Sequence, residues 1–417
     1  MSDSSKDIYV YADWQELKSP LFMGCLHSQY TRGKEVFSFE FAPEWLKQGS
    51  ALLLDPDLLL YAGRQYSGSV KKAFGIFMDS SPDRWGRQLI RRREAIQARA
   101  EMRPLRSLAE TDYLLGLHDA TRMGALRFKL DKAGEFLSNE MDLPAPPWAS
   151  LHKLEAACRH YEEDSLPDDE HEKWLNMLLA PGSSLGGARP KANIADNDGN
   201  LWIAKFPSRS DDTNIGAWEM VTHRLAGMAE LSVPECRIEK FSGHGSTFLT
   251  KRFDRIEGRR IHFASAMTLL GRSDGDNHDS GCSYLDLAQF IVQHGANPNK
   301  DLQELWKRIV FSIAVSNTDD HLRNHGFLLN SQGWILSPAY DINPNPHGSG
   351  LSLNVSEDDN SLDFDLALSV ASQFRFNQEQ ATQYIFRVKK TVNSWNEVAM
   401  KINISRREIG EMSAAFS

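Results

Sequence analysis

The decisive stretch of the chain reads Asn317-Thr-Asp-Asp-His-Leu-Arg-Asn-His-Gly-Phe-Leu-Leu-Asn-Ser-Gln-Gly-Trp-Ile-Leu-Ser-Pro-Ala-Tyr-Asp341. Asn324 follows Asp319 by five residues, and Asp341 comes after two short apolar runs that predict a β-hairpin. Phosphotransferases use this spacing, because one carboxylate orients the attacking hydroxyl while an amide and a second carboxylate hold Mg²⁺ against the ATP phosphates. The stretch therefore predicts a kinase.

The residue types in this stretch suggest a division of roles. Asp319 is the candidate for the carboxylate that orients a hydroxyl or accepts its proton. Asn324 and Asp341 suit Mg²⁺, which prefers oxygen ligands and few carboxylates. Asp320 and His321 are neighbours with no separate role assigned. The alternative is a polar turn in which Asp and Asn only cap helices or close Asx-turns.

The helix that precedes the stretch favours a supported site over a simple turn. The segment from Leu302 to about Val315 is apolar on nearly every face at its end, with Ile309, Val310, Phe311 and Ile313. Such a pattern is typical of a buried helix. A polar loop held at the end of a packed helix has the rigid support that a preorganised site requires.

Candidate ATP-binding residues lie upstream. Lys205 ends the apolar strand Leu201-Trp-Ile-Ala-Lys205, and Glu219 lies on the helix predicted from about Asn214 to Glu230. In kinases such a lysine contacts ATP phosphates and pairs with a glutamate on the following helix. The alternative is that Lys205 is a solvated residue at the end of an edge strand.

A glycine-rich segment, Pro181-Gly-Ser-Ser-Leu-Gly-Gly-Ala-Arg-Pro-Lys191, precedes this strand. Gly186 and Gly187 allow the backbone to approach a phosphate closely, and Arg189 and Lys191 supply positive charge. The segment matches neither common phosphate-loop pattern. A mobile glycine and serine turn is the alternative.

Composition places the chain among ordinary globular proteins. It has 417 residues, of which 41% are hydrophobic and 25% charged, enough for two or three domains. The net charge of −9 argues against a protein whose whole surface binds nucleic acid.

We expect a cytoplasmic protein without membrane contact, since no apolar run is long enough to span a membrane. The four cysteines form no CxxC pair, so we expect neither a zinc site nor a disulfide framework.

The order of predicted elements indicates an α+β chain. Residues 8–62 alternate apolar and polar positions like short strands, and a helix is predicted near Ser81 and Pro82, with Ser81 as its cap. One face of this helix is arginine-rich, which fits a solvated face and a partner-binding face equally well. Hairpin strands at 192–206, a helix and a strand pair at 235–253 have the composition of a kinase N-lobe. The chain beyond Asp254 is mainly helical.

With these residues assembled, the chain resembles the HipA family of bacterial serine/threonine kinases, the toxins of type II toxin–antitoxin systems. The resemblance covers most of the sequence. It rests on Ser184-Leu-Gly-Gly-Ala-Arg-Pro-Lys191, the strand ending in Lys205, Lys251-Arg-Phe-Asp-Arg255, Thr318-Asp-Asp-His-Leu-Arg-Asn324 and Pro338-Ala-Tyr-Asp-Ile342.

The resemblance implies a role for each matching residue. Asp319 would be the catalytic base, with Asn324 and Asp341 on the metal side. Lys251 and Phe253 would form the hinge that binds adenine, and Asp254 would reach the ribose. Ser184 would be the autophosphorylated residue, with Ser183 as the alternative. The remaining residues expected to bind ATP are Gly186, Gly187, Ala188, Arg189, Lys191, Lys205, Glu219, His321 and Tyr340.

The resemblance also implies an architecture. We expect a β-rich N-terminal domain with an arginine-rich helix at 1–131 and a linker at 132–150. A two-lobed protein-kinase-like fold would follow, with a small β-rich N-lobe at 151–254 and a mainly helical C-lobe at 255–417. ATP and Mg²⁺ would be the cofactors.

The expected partners follow from the same resemblance. They are a small helix-turn-helix antitoxin (HipB-like), DNA reached indirectly through it, and a protein substrate such as an aminoacyl-tRNA synthetase. Two other functions fit the sequence. One is a catalytically silent, ATP-binding corepressor that acts with the antitoxin. The other is a kinase for small molecules, because the spacing of Asp319 and Asn324 also suits sugar or antibiotic hydroxyls.

Overall fold

The computed structural model describes the chain in two compact units. The N-terminal unit comprises Met1–Arg209 with Asp254–Ala264, and the C-terminal unit comprises Ser210–Phe253 with Ser265–Ser417. Within these bounds the structure describes residues 5–31, 33–48, 52–68, 71–137, 145–163, 175, 177–178 and 187–416.

The N-terminal unit is built around an antiparallel sheet. Ile8 and Val10 on one strand, and Phe39 and Phe128 on others, are fully buried, because alternate residues of a strand point to the same face. The strands predicted within residues 8–62 are confirmed as β1 (Ser5–Ala12), β2 (Leu21–Thr31) and β3 (Lys34–Phe41). The strands β4 (Gln65–Tyr66) and β5 (Leu126–Lys129) lie beyond that range, and the sheet order is β4-β3-β2-β1-β5.

The arginine-rich helix starts later than its sequence suggests. Ser81 donates its hydroxyl to the carbonyl of Phe77, and Asp83 instead caps the helix by accepting the Gly86 N–H at 2.8 Å. Pro82 thus precedes the helix. The helices of this unit are α1 (Pro43–Leu46), α2 (Gly75–Asp79), α3 (Arg84–Ala100), α4 (Glu110–Leu115) and α5 (Leu151–Tyr161).

Part of the arginine charge on α3 and just beyond it is neutralised within the unit. Arg87 donates two hydrogen bonds to the carboxylate of Glu110, and Arg103 donates two to that of Glu94. These arginines stabilise the packing of neighbouring segments. The charge that α3 can offer to a partner is therefore smaller than a count of its arginines indicates.

The hairpin predicted around Asn197–Asn200 is confirmed as β6 (Lys191–Ala195) and β7 (Leu201–Lys205), paired in antiparallel register. It belongs to the N-terminal unit. Lys191 explains this placement, because its ammonium lies 2.9 Å from the Asp83 carboxylate and its carbonyl accepts the Trp85 indole N–H. The two compact units have other bounds than the predicted domains, whose boundaries at 132–150 and 254 stay predictions. The unit is completed by β10 (Arg255–Ile256) and β11 (Arg259–Arg260).

The C-terminal unit begins with α6 (Ile215–Met228) and the hairpin of β8 (Cys236–Glu239) and β9 (Thr247–Lys251), as predicted. Asn214 caps α6 and also accepts the Ser246 N–H at 2.9 Å, which fixes the helix start beside β9. Gly216 is required there, because a Cβ atom would collide with the Ser246 carbonyl.

The rest of the C-terminal unit is mainly helical, as the sequence predicts. Its central helix is buried through Leu305, Ile309 and Ile313, and it starts one turn before the predicted Leu302, with Pro298 in its first turn. This central helix is α9 (Pro298–Ala314), and the other helices are α7 (Ala266–Leu269), α8 (Tyr284–His294), α10 (Phe364–Val370), α11 (Gln378–Val392), α12 (Trp395–Lys401) and α13 (Arg406–Met412). The strands β13 (Gly326–Asn330) and β14 (Gly333–Leu336) form a hairpin. Strand β12 is Phe263–Ser265, of which Phe263 and Ala264 belong to the N-terminal unit.

Across the described ranges, none of the helices combines the length and the apolar character needed to cross a membrane.

The Lys191–Asp83 pair is the basis of a stability prediction. Its side chains are 2% and 1% exposed, so Lys191→Met should leave a buried, uncompensated carboxylate and cost about 3–5 kcal/mol of unfolding free energy. Adding Asp83→Asn, which keeps the cap but removes the charge, should restore part of that loss. Urea unfolding followed by tryptophan fluorescence measures both.

The control is Lys6→Met, since Lys6 makes a more exposed pair with Asp112 that should contribute at most about 1 kcal/mol. The contradicting outcome is that Asp83→Asn lowers the free energy of unfolding of Lys191→Met as much as it lowers that of wild type. The two side chains would then be independent, and the buried pair would not be the stabilising contact.

Candidate active site

The loop after α9 is held by hydrogen bonds to the end of that helix. Ser316 has a positive φ of 48°, which turns the chain out of the helix. Asn317 donates its backbone N–H to the Ser312 carbonyl at 2.9 Å and its side-chain amide to the Ser312 hydroxyl at 3.3 Å. The polar loop therefore starts from a fixed point on a buried helix.

The two adjacent aspartates of the loop lie in opposite environments. Asp319 is exposed, whereas Asp320 is buried. The Tyr284 hydroxyl donates to Asp320 at 2.6 Å, and His325 Nε2 lies 3.1 Å from its other oxygen. Burial alone would raise the pKa of Asp320, but His325 and the Tyr284 hydrogen bond lower it below the usual range. Asp320 is thus an ionised structural group, while Asp319 faces solvent.

Asn324 is oriented by the backbone of the same loop. Its side-chain amide donates to the Asp319 carbonyl at 2.9 Å, and its backbone N–H donates to the His321 carbonyl at 2.8 Å. Because the NH₂ group is used in this way, the side-chain oxygen of Asn324 is the atom available to a ligand.

Asp341 follows the predicted hairpin, which the structure confirms as β13 and β14. Its φ of 58° lies in the left-handed region, which few residues other than glycine, asparagine and aspartate adopt. Asn343 donates its side-chain amide to an Asp341 carboxylate oxygen at 3.3 Å. The carboxylate therefore has a fixed direction on an unusual turn.

Hydrogen bonds join the segment after Asp341 to the loop after α9. The Asn343 N–H donates to the Asn317 side chain at 3.1 Å, and the Asn345 N–H donates to the Ser316 carbonyl at 3.1 Å. The Asn345 side-chain amide also donates to the Thr318 hydroxyl at 2.8 Å. The structure thus brings together the two segments that carry Asp319, Asn324 and Asp341.

Sequence reasoning missed Asn317, Asn343 and Asn345 as organisers of this site. The signal that could have found them is the run Asp341-Ile-Asn-Pro-Asn-Pro346. For Asn343 and Asn345, the alternation of asparagine with proline indicates a rigid, irregular segment whose side chains replace regular backbone hydrogen bonds.

The donor set of this site suits a hard divalent cation. Asn324 and Asp341 offer an amide oxygen and a carboxylate, which are the ligand types that Mg²⁺ prefers. In the described chain, the buried side-chain oxygen of Asn343 has no hydrogen-bond partner. An unsatisfied buried oxygen next to a carboxylate fits a site completed by a cation, directly or through water.

An aromatic pair lies in the same unit. The rings of Phe253 and Tyr340 are 5.5 Å apart and tilted by 36°, and the Tyr340 hydroxyl donates to the Arg323 carbonyl at 2.7 Å. Both were predicted to bind ATP, and a flat aromatic surface suits a nucleobase. Lys251 uses its backbone N–H to bond the Glu235 carbonyl at 2.8 Å, so that group is not available to adenine.

Helix α6 also supports the site. Thr222 donates its hydroxyl to the Ile342 carbonyl at 2.6 Å, directly after Asp341. Glu219 lies on the same helix, one turn earlier, and is buried. The predicted pairing of Glu219 with Lys205 stays a prediction, since Lys205 ends β7 in the N-terminal unit.

Several predicted ATP-binding residues belong to the N-terminal unit. Gly187 and Ala188 are exposed, and Arg189 donates to the Phe206 carbonyl at 3.2 Å. Ser183, Ser184 and Gly186 lie outside the described residues. His321, in the C-terminal unit, has a buried Nδ1 without a hydrogen-bond partner in the described ranges.

The structure gives two of the predicted ATP-binding residues partners within the protein. The buried ammonium of Lys191 binds the Asp83 carboxylate and the Gly187 carbonyl. The fully buried carboxylate of Asp254 accepts the Gly124 N–H at 2.8 Å and pairs with Arg255. Both residues stabilise the N-terminal unit.

Comparisons with known proteins identify relatives of this chain. The chain is 28% identical over 253 residues to Y4dM, a candidate kinase of Sinorhizobium fredii, and 29% identical over 181 residues to a candidate kinase of Haemophilus influenzae. The alignments cover 52% and 39% of this chain and span only 59% and 52% of the lengths of those relatives.

A solved structure shows the same fold. HipA of Shewanella oneidensis, crystallised with HipB and operator DNA, superposes with a TM-score of 0.67 at 16% identity, covering 98% of this chain and 94% of that one. The two-lobed, kinase-like α+β fold predicted from the sequence is therefore confirmed. The domain family described as "HipA-like C-terminal domain" matches residues 183–395, just over half of the chain. The chain therefore belongs to the HipA family.

Proposed function

We propose that this protein is an ATP- and Mg²⁺-dependent kinase that phosphorylates a serine or threonine hydroxyl of a protein. One observation carries the proposal. The exposed Asp319 lies on the loop to which the Asp341 segment is hydrogen-bonded through Asn343 and Asn345. A base, a metal-binding carboxylate and an amide oxygen on two joined segments are the parts that phosphoryl transfer requires.

The roles follow from the chemistry of the side chains. Asp319 would accept a hydrogen bond from the attacking hydroxyl and orient its oxygen. The oxygens of Asn324 and Asp341 would hold Mg²⁺, which neutralises the charge of the ATP phosphates when it is bound. Phe253 and Tyr340 would form one wall for adenine. Gly186, Gly187, Ala188, Arg189, Lys205, Glu219, Lys251 and His321 remain proposed nucleotide-binding residues on the family resemblance.

The family resemblance also supports a regulated toxin. We propose autophosphorylation at Ser184 or Ser183 and, as the external substrate, a translation protein such as an aminoacyl-tRNA synthetase.

A phosphate-transfer assay tests the proposed activity. With labelled ATP and Mg²⁺, wild type should incorporate phosphate, and mass spectrometry should place it on Ser184 or Ser183. Asp319→Asn should lower the rate about 10²- to 10⁴-fold, because the hydroxyl loses its oriented base, while ATP binding stays unchanged. Asp358→Asn, which alters an exposed loop aspartate of the same unit, is the matched control.

The same assay separates the alternatives. ATP binding without transfer in wild type would favour the silent corepressor. Transfer to an aminoglycoside or a sugar, but to no protein, would favour a small-molecule kinase and contradict the proposal.

The proposed partner is a small helix-turn-helix antitoxin, through which the protein would reach DNA. The support is the structure of the Shewanella relative, which contains HipB and operator DNA.

Co-expression tests this partner. The protein encoded beside this chain, if it carries a helix-turn-helix, should co-elute with it in size-exclusion chromatography, and the complex should retard a DNA fragment from its own promoter. Separate elution, together with unchanged DNA mobility on adding this chain, would argue against the partnership.

A further inference from the structure

We propose that Asp320 is a positioning residue of the active site, and that its buried carboxylate fixes the direction in which Asp319 projects. The inference rests on the proposed kinase function, because Asp319 needs a fixed direction only if it orients a hydroxyl. Asp320 carries no role in the sequence analysis, and its burial separates it from its exposed neighbour.

Three separate elements hold the Asp320 carboxylate. Tyr284, the first residue of α8, donates its hydroxyl at 2.6 Å. Ser312 on α9 donates its hydroxyl at 3.4 Å, and His325, just before β13, places Nε2 at 3.1 Å. Hydrogen bonds to residues of two helices, with His325 beside them, oppose displacement of the carboxylate.

The groups that hold Asp320 are themselves fixed. Tyr284 is fully buried, and its backbone N–H donates to the Asn354 carbonyl at 2.9 Å. The His325 carbonyl accepts the Ala266 N–H at 2.8 Å, and the His325 ring lies edge-on to that of Tyr284 at 5.7 Å. The support for Asp320 therefore extends into the packed core of the unit.

The peptide between the two aspartates is fixed on both sides. The Asp319 carbonyl accepts the His321 N–H and the Asn324 side-chain amide, each at 2.9 Å. The next residue is anchored by its buried side chain. With the carbonyl and the following Cα both held, the backbone from which the Asp319 side chain projects is fixed. Catalytic groups need this degree of preorganisation.

The negative charge of Asp320 also restrains the loop that carries Asp319. An isolated buried carboxylate is strongly unfavourable, whereas one that is hydrogen-bonded and paired is held in a single arrangement. A different geometry of the loop would leave the carboxylate and the Tyr284 hydroxyl without the hydrogen bond that joins them. The network therefore penalises loop conformations in which Asp319 points elsewhere.

Two matched tyrosine variants test the inference. Tyr284→Phe removes the hydrogen bond to Asp320, while Tyr384→Phe removes an equivalent buried bond, from the Tyr384 hydroxyl to the Ala229 carbonyl at 2.8 Å, away from the site. Tyr284→Phe should lower kcat by about 10- to 100-fold, with the Kd for ATP unchanged, because a small displacement of the base is costly. Tyr384→Phe should leave kcat unchanged, even if its Tm falls by a similar amount.

Hydrogen exchange supplies a second readout that needs no catalysis. In Tyr284→Phe and Asp320→Asn, backbone amides of the peptide covering 317–324 should exchange faster than in wild type, whereas Tyr384→Phe should not affect this peptide.

Equal kcat values in Tyr284→Phe and wild type, or unchanged exchange in 317–324, would overturn the positioning role of Asp320. A wild type that transfers no phosphate would instead contradict the proposed function, and the exchange measurement would still decide whether Asp320 holds the loop.

Discussion

The hydrogen bonds between the loop after α9 and the segment after Asp341 are the constraint on which the candidate site depends. Asn317 accepts from Asn343, while Asn345 donates to Ser316 and Thr318. Without these bonds the predicted base and the predicted metal carboxylate would belong to two independent loops. Both loops are irregular, so hydrogen bonds that involve asparagine side chains connect them, where a β-ladder would connect two strands.

Burial divides the polar residues of this region into two kinds. Asp320, Tyr284 and His325 are buried and lie against one another, with a hydrogen bond from Tyr284 to Asp320, whereas Asp319 is exposed next to them. A kinase needs both kinds, because a reactive carboxylate must reach a hydroxyl while its backbone stays in place. The double aspartate at 319 and 320 therefore combines a proposed catalytic residue with a proposed positioning residue.

The sequence predicted the elements that depend on local patterns. The hairpin before Asp341, the buried α9 and the β6–β7 hairpin follow from apolar periodicity and turn residues, which act over a few positions. It did not predict the partners of Lys191 and Asp254, which lie 108 and 130 residues away in the chain. Lys191 is predicted to bind ATP as a positive charge beside the glycines, and Asp254 only through the family resemblance. In the structure each side chain binds a residue that is distant in the chain, and the spacing of nearby residues does not predict such a partner.

The central claim is that Asp341 and Asn324 form a metal site beside Asp319, and Mn²⁺ binding tests it most directly. Mn²⁺ would be titrated in the presence of a non-hydrolysable ATP analogue and followed by electron paramagnetic resonance. Asp341→Asn is the informative variant, because asparagine keeps the left-handed backbone and the size of the side chain but removes the charge. The account predicts one tightly bound Mn²⁺ whose affinity falls by about 10-fold or more in Asp341→Asn and is retained in Asp358→Asn. Equal Mn²⁺ affinity in wild type and Asp341→Asn would contradict it.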